Sequence, residues 1–162
     1  MGKPIIKQPG IIKVAIAWFF IGIMNIYVAY QGISSDIGRW SLISDPLTHE
    51  WFRMAMPTGL GLSVAILIAA IIQLISIPGL PKGKSWSIKL ALGAPIAIAI
   101  FNFAFGALYA SAPPEYSELA RSRMIWAFFI GVFQMFAVFI FWKYLNRPEG
   151  KFFRETMNQQ SA

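Results

Sequence analysis

Four long apolar runs alternate with short polar segments along the chain: Ile11 to Tyr30, Met54 to Ile77, Ile88 to Ala110 and Met124 to Tyr144. Each is close to the ~20 residues that an α-helix needs to cross a hydrocarbon core of ~30 Å. The runs are apolar almost all round, the pattern of helices with protein on one side and lipid on the other. They predict an all-α integral membrane protein, four transmembrane helices in an antiparallel bundle. Residues 1–162 read as one membrane domain in which 145–162 form a cytoplasmic tail. The first run is too long for the apolar stretch of a cleavable signal peptide, and no small-residue cleavage site follows it.

The connections are short except the first. From Gln31 to Arg53, Ile33, Ile37, Trp40 and Ile43 recur at helical spacing while Ser34, Ser35, Asp36 and Arg39 fall elsewhere. That predicts a short amphipathic helix lying on the outer membrane surface. Asp45-Pro46 reads as a helix N-cap followed by proline at the first helical position, with Pro57 within the first turns of the second span or kinking it. Ile77 to Lys84 reads as a plain inner turn, and Pro113-Pro114 ends the third helix. A faint repeat pairs Asn25 with Asn102, Arg53 with Arg123 and Gln73 with Gln134, although the spacings differ.

Charge fixes a direction. The N-terminal segment, the second loop and the C-terminal segment hold all the lysines and 10 of the 14 basic residues; the first and third loops hold Arg39, Arg53, Arg121 and Arg123. Asp36, Asp45, Glu50, Glu115 and Glu118, five of the seven acids, lie in those same two loops. By the positive-inside rule both termini are cytoplasmic. The formal net charge of +7 is thus a topology signal; a nucleic-acid partner would require the basic residues on one soluble face. The tail, with Arg147, Lys151 and Arg154 beside Phe152 and Phe153, suits an anionic inner leaflet. Trp40, Trp51 and Trp126 mark the outer interface, Trp86 and Trp142 the inner one, and Trp18 lies deeper, packed on a neighbouring helix or lipid.

Composition then excludes classes of function. At 57% hydrophobic and 13% charged, the chain is neither a soluble domain nor disordered. With no cysteine and one histidine, it offers no thiol chemistry, no disulfide scaffold and no multi-histidine metal cluster of its own. No ionisable group falls in the central part of a span, which argues against a proton pump or a cation-coupled transporter built from this chain alone.

The polar groups deepest in the spans are Asn25, Gln73, Asn102 and Gln134. Amides there serve helix packing or line an uncharged pathway, and packing is the favoured reading. Gly59 and Ser63, Gly93 and Ala97, and Gly106 and Ala110 form small-xxx-small pairs suited to close helix approach. His49 and Glu50 are the weak candidates for a metal or quinone-headgroup site at the outer surface, against a capping and interface role. Phe129, Phe133 and Phe136 share one face of the fourth span, where lipid contact and interhelix packing are expected.

The leading functional expectation is a non-catalytic accessory subunit of a multi-subunit membrane complex, an oxidoreductase of an electron-transfer chain. Its partners would be other integral membrane subunits and lipids. No cofactor is expected on this chain alone, although a lipid or quinone would fit at a subunit interface. A prokaryotic inner membrane is the expected location. The alternatives are a small homo-oligomeric transporter or channel along the four amides, and a membrane enzyme with a surface site around His49.

Overall fold

The computed structural model describes residues 9–44, 49–82 and 84–147. Among the described residues there are four α-helices: α1 (Pro9–Gly38), α2 (Glu50–Ser76), α3 (Ser85–Ala110) and α4 (Ser117–Leu145). All four are long and apolar enough to cross a membrane. At 1.5 Å per residue, a helix of 26 residues spans about 39 Å, more than the ~30 Å hydrocarbon core. Among the described residues there is no strand. The expectation of an all-α membrane bundle is met. The capping pair Asp45-Pro46 and the tail beyond Arg147 lie outside the described residues.

The order in space follows the order in sequence. α1 packs along α2, α2 along α3 and α3 along α4, whereas α1 and α4 have few close backbone approaches. Facing pairs run in opposite directions: a Cβ on Gly22 would meet Leu74 and one on Gly32 would meet Ser63, while Gly10 lies against Tyr144 and Asp36 binds Arg123. The bundle has two ends. The proximal end holds the α2–α3 turn, the start of α1 and the end of α4. The distal end holds the α1–α2 and α3–α4 connections.

Each helix buries one stripe. On α1 the buried or half-buried positions are Ile11, Ala15, Trp18, Gly22, Asn25, Ala29, Gly32 and Asp36. On α4 they are Ala120, Arg123, Ala127, Ile130, Gln134, Ala137, Phe141 and Leu145. Steps of three and four, alternating along α1 and along α4 as far as Phe141, are those of a left-handed helix seam. Small residues recur in both stripes and let the helices approach. The other faces carry large exposed apolar side chains, among them Phe20, Phe129, Phe136 and Phe139, as lipid-facing surfaces do.

The proximal end is filled by apolar side chains. Trp18 packs on Phe141 with ring centroids 5.1 Å apart, within a cluster that includes Ile11, Ala15, Leu80, Ala91, Ala137 and Leu145. The α2–α3 connection is more than a plain turn. It begins as a single helical turn over Ile77–Gly79 and inserts Leu80, fully buried, into this cluster. Ser87 donates to the Ser76 carbonyl across it.

Between the first two spans, where an amphipathic helix was expected, the described residues divide between α1 and a short turn. α1 continues unbroken to Gly38, so Ile33 and Ile37 belong to it, and Trp40–Ser44 forms a short 3-10 turn. The reason is Asp36. Its register places it inward, where α4 supplies a cation, so the helix is worth continuing through its polar last turns.

Candidate functional site at the seam of the first and last helices

α1 and α4 are joined chiefly by side chains. At mid-bundle three amides form a chain. Gln134 Nε2 donates to Asn25 Oδ1 at 2.8 Å, and Asn25 Nδ2 donates to Gln73 Oε1 at 3.3 Å. Gln73 Nε2 in turn donates to the Trp18 carbonyl at 3.3 Å. All three amides are buried. α1, α2 and α4 are tied at one level, and the helices supply the partners that lipid cannot. Gln134 Oε1 is left without a partner among the described residues.

Asn102 does not join them. It is buried, but its Nδ2 donates to the Ile98 carbonyl of its own helix at 2.9 Å. The four amides are therefore not one continuous path; three are a helix clamp and the fourth stands nearer the distal end. The faint sequence repeat has no counterpart either. Asn25 bridges helices whereas Asn102 bonds within α3, and Arg123 is half-buried where Arg53 is exposed.

The distal level is ionic. Arg123 on α4 meets Asp36 on α1 at 2.9 Å, with side chains 19% and 1% exposed. Arg123 also donates to the Tyr109 hydroxyl and to Ser35 Oγ, both at 2.5 Å. Its guanidinium carbon lies 5.2 Å from the centre of the Tyr109 ring. An arginine suits this place because its planar fork engages several acceptors at once. Gly59 on α2 leaves room for the pair: a Cβ there would stand 3.2 Å from Asp36 Oδ2 and 3.5 Å from the Tyr109 hydroxyl. Asp36 Oδ2 has no partner among the described residues, and Asp36 is one of the residues that line a space of about 10 Å³, room for a single water.

An aromatic cover lies over this pair. Trp51 stacks on Tyr116 at 6.0 Å and meets Tyr109 edge-on at 5.9 Å, while Phe52 packs on Tyr116 at 5.8 Å. Trp51 Nε1 donates to Ser111 Oγ at 3.3 Å, which ties the start of α2 to the end of α3. His49 belongs to this region as a cap. Its Nδ1 accepts from the Trp51 amide at 3.1 Å, and its ring lies 6.0 Å from that of Tyr116. Glu50 opens α2, where a negative charge complements the helix dipole. Among the described residues there is no group of three or more His, Asp or Glu placed to hold a metal.

Between the amide level and the ionic level the seam opens into a cleft of about 330 Å³. Its polar lining includes Gln31, Ser35, Ser63, Asn102, Ser122 and Arg123. Its apolar lining includes Ala29, Ile66, Phe105, Trp126, Ala127 and Ile130. From Arg123 to Ile130 is seven residues, a height of about 10 Å. Matched against family models, curated proteins and solved structures, the chain resembles none of them.

The small-residue pairs divide. Gly59 is a close contact, and so is Gly106, where a Cβ would stand 3.1 Å from the Phe128 ring. Ser63 is buried against Gly32 of α1. Gly93 makes no close contact within the chain: it is exposed, with nothing within 4 Å of where its Cβ would be. Sequence reasoning missed the ion pair because it assigned Asp36 and Arg123 to loops. The signal was in the stripes. Asp36 continues the spacing of Asn25, Ala29 and Gly32, and Arg123 precedes Ala127, Ile130 and Gln134 by the same rule.

Proposed function

We propose that this chain is a non-catalytic subunit of a multi-subunit membrane complex, with an electron-transfer oxidoreductase as its host. One observation carries the reading: the bonds that the seam's strongest polar groups make run between helices of this chain. Asn25, Gln73 and Gln134 clamp three helices, and Asp36 and Arg123 clamp the distal end. What is left outward is apolar surface over four helices, suited to lipid and to other integral membrane subunits. The host class is chosen because the remaining cleft is of the kind that takes an amphiphile rather than a hydrophilic substrate.

In this reading both termini face the cytoplasm, the distal end faces outward and the membrane is a prokaryotic inner membrane. The lysine asymmetry supports that direction. The test is mild-detergent extraction from the native membrane, followed by a native gel and mass spectrometry of the band that holds this chain. Co-migration at fixed stoichiometry with larger, cofactor-bearing subunits is expected. A band containing only copies of this chain overturns the subunit role and favours a homo-oligomeric transporter.

A further inference from the structure

We infer that the α1–α4 cleft is a binding site for a neutral amphiphile with a planar, carbonyl-bearing head, of the benzoquinone type, entering sideways from the lipid. Four observations carry this. The first is position. The cleft lies where α1 and α4 stand apart, between two levels of side-chain clamps, so its mouth is on the flank of the bundle, with Ser122 and Trp126 exposed at it. A ligand that enters from that flank within the bilayer is one that dissolves in lipid.

The second is polarity along the cleft. Arg123, Ser35 and Ser122 gather at its distal end, while Ile66 and Ile130 line it towards mid-bundle. A head with hydrogen-bond acceptors belongs at the first and an apolar substituent at the second. Arg123 spends three of its five N–H groups on Asp36, Tyr109 and Ser35, which leaves two for an acceptor in the cleft.

The third is charge. The cation that lines the cleft is already neutralised by a carboxylate 2.9 Å away, and the other oxygen of that carboxylate is unpartnered. A phosphate brought to Arg123 would face Asp36 without compensation, whereas a carbonyl would accept a hydrogen bond and bring no charge. Arg39 does not alter this balance, because it lines the small void on the other side of the pair and not the cleft. The fourth is shape. Phe105 and Trp126 both line the space, and aromatic rings stack on a flat conjugated head. A volume of about 330 Å³ lies within the size range of small-molecule sites.

This site goes beyond the subunit role and does not depend on it; a chain that migrates alone can still bind the quinone. The test uses the full chain in phosphatidylcholine nanodiscs, titrated with a decyl-substituted dimethoxy-benzoquinone while tryptophan fluorescence is followed. Trp126 lines the cleft, so binding quenches it. Two variants narrow the cleft: Ser122→Phe from the exposed mouth, which leaves the core untouched, and Ala127→Leu from a buried wall. The expected result is saturable quenching that Trp126→Phe largely removes and that folded Ser122→Phe weakens by about tenfold or more in apparent Kd. Quenching that rises in proportion to the quinone-to-lipid ratio, and is the same in Ser122→Phe, overturns the site. Saturable quenching that phosphatidylglycerol displaces assigns the cleft to an anionic lipid and overturns the neutral ligand.

Discussion

The indole N–H of Trp18 on α1 donates to the carbonyl of Ala91 on α3 at 2.8 Å, and the residue four positions on from Ala91 is Pro95. Proline has no N–H, so α3 cannot satisfy that carbonyl from within. Trp18 supplies the missing donor from another helix. In a bilayer no water would do so. Trp18 thus has two roles at the proximal end, a ring packed on Phe141 and a hydrogen bond that makes an internal proline tolerable.

The pair can be separated from ring packing by a double-mutant cycle. Trp18→Phe keeps an aromatic ring but leaves the Ala91 carbonyl unpartnered, at an expected cost of about 1–3 kcal/mol. Pro95→Ala restores an N–H at the right position of α3. In that background Trp18→Phe is expected to cost about 1 kcal/mol less. Reversible unfolding of the purified protein in mixed micelles measures all four corners. Equal costs in both backgrounds would show that the proline and the indole are unrelated.

The Asp36–Arg123 pair is expected to be far more sensitive to losing one partner than both. Asp36→Leu leaves a guanidinium with nothing to balance it in a half-buried site, at a cost of about 3 kcal/mol or more. Asp36→Leu with Arg123→Met removes both charges and is expected to recover most of that loss. The reading is a stability comparison of the two single variants and the double. A double variant as unstable as the sum of the singles would mean that the charges are not coupled across the seam.

Much of this arrangement is legible in the chain, and what is not has physical causes. The spans follow from apolar length alone. Asn25, Gln73 and Gln134 stand out because amides are expensive in hydrocarbon, and their mutual bonding is what that cost demands. The ends of the helices are harder. Polar residues such as Ser34, Ser35 and Asp36 resemble a loop at the membrane surface, yet Asp36 continues the inward stripe of α1 because α4 presents Arg123 at the same level. A local pattern cannot show a partner 87 residues away. Gly93 shows the converse: small-xxx-small spacing marks where helices can approach without saying which neighbour does, and on α3 this glycine faces away from the other helices of the chain.

The amide clamp sets an order of sensitivity. Asn25 accepts from Gln134 and donates to Gln73, so Asn25→Leu breaks two links of the chain and leaves Gln73 only its bond to the Trp18 carbonyl, whereas Gln134→Leu removes one link. Interhelix bonds of this kind are worth roughly 0.6 kcal/mol on average, so Gln134→Leu should cost about that and Asn25→Leu about twice as much. In the membrane both variants should lower the yield of assembled complex while leaving the activity per assembled complex unchanged. Normal yield with lost activity would instead make these amides part of a pathway.

Two glycines give a contrast that tests the packing directly. Gly79 ends the helical turn between α2 and α3, where a Cβ would overlap Ser87 Oγ and stand 2.8 Å from Ser87 Cβ. Ser87 cannot move aside without giving up its bond to the Ser76 carbonyl. Gly79→Ala is therefore expected to destabilise by about 1–3 kcal/mol, as overpacking of a filled site does. Ser87→Ala does not relieve it, because the Cβ remains; Ser87→Gly does so in part. Gly93, in the third turn of α3, has open space where its Cβ would be. Gly93→Ala should cost nothing and gain about 0.5–1 kcal/mol from the stiffer helix. Thermal denaturation of the two alanine variants in the same detergent is enough to check this. If both move the midpoint in the same direction, the α2–α3 turn is looser than Leu80 and Ser87 require.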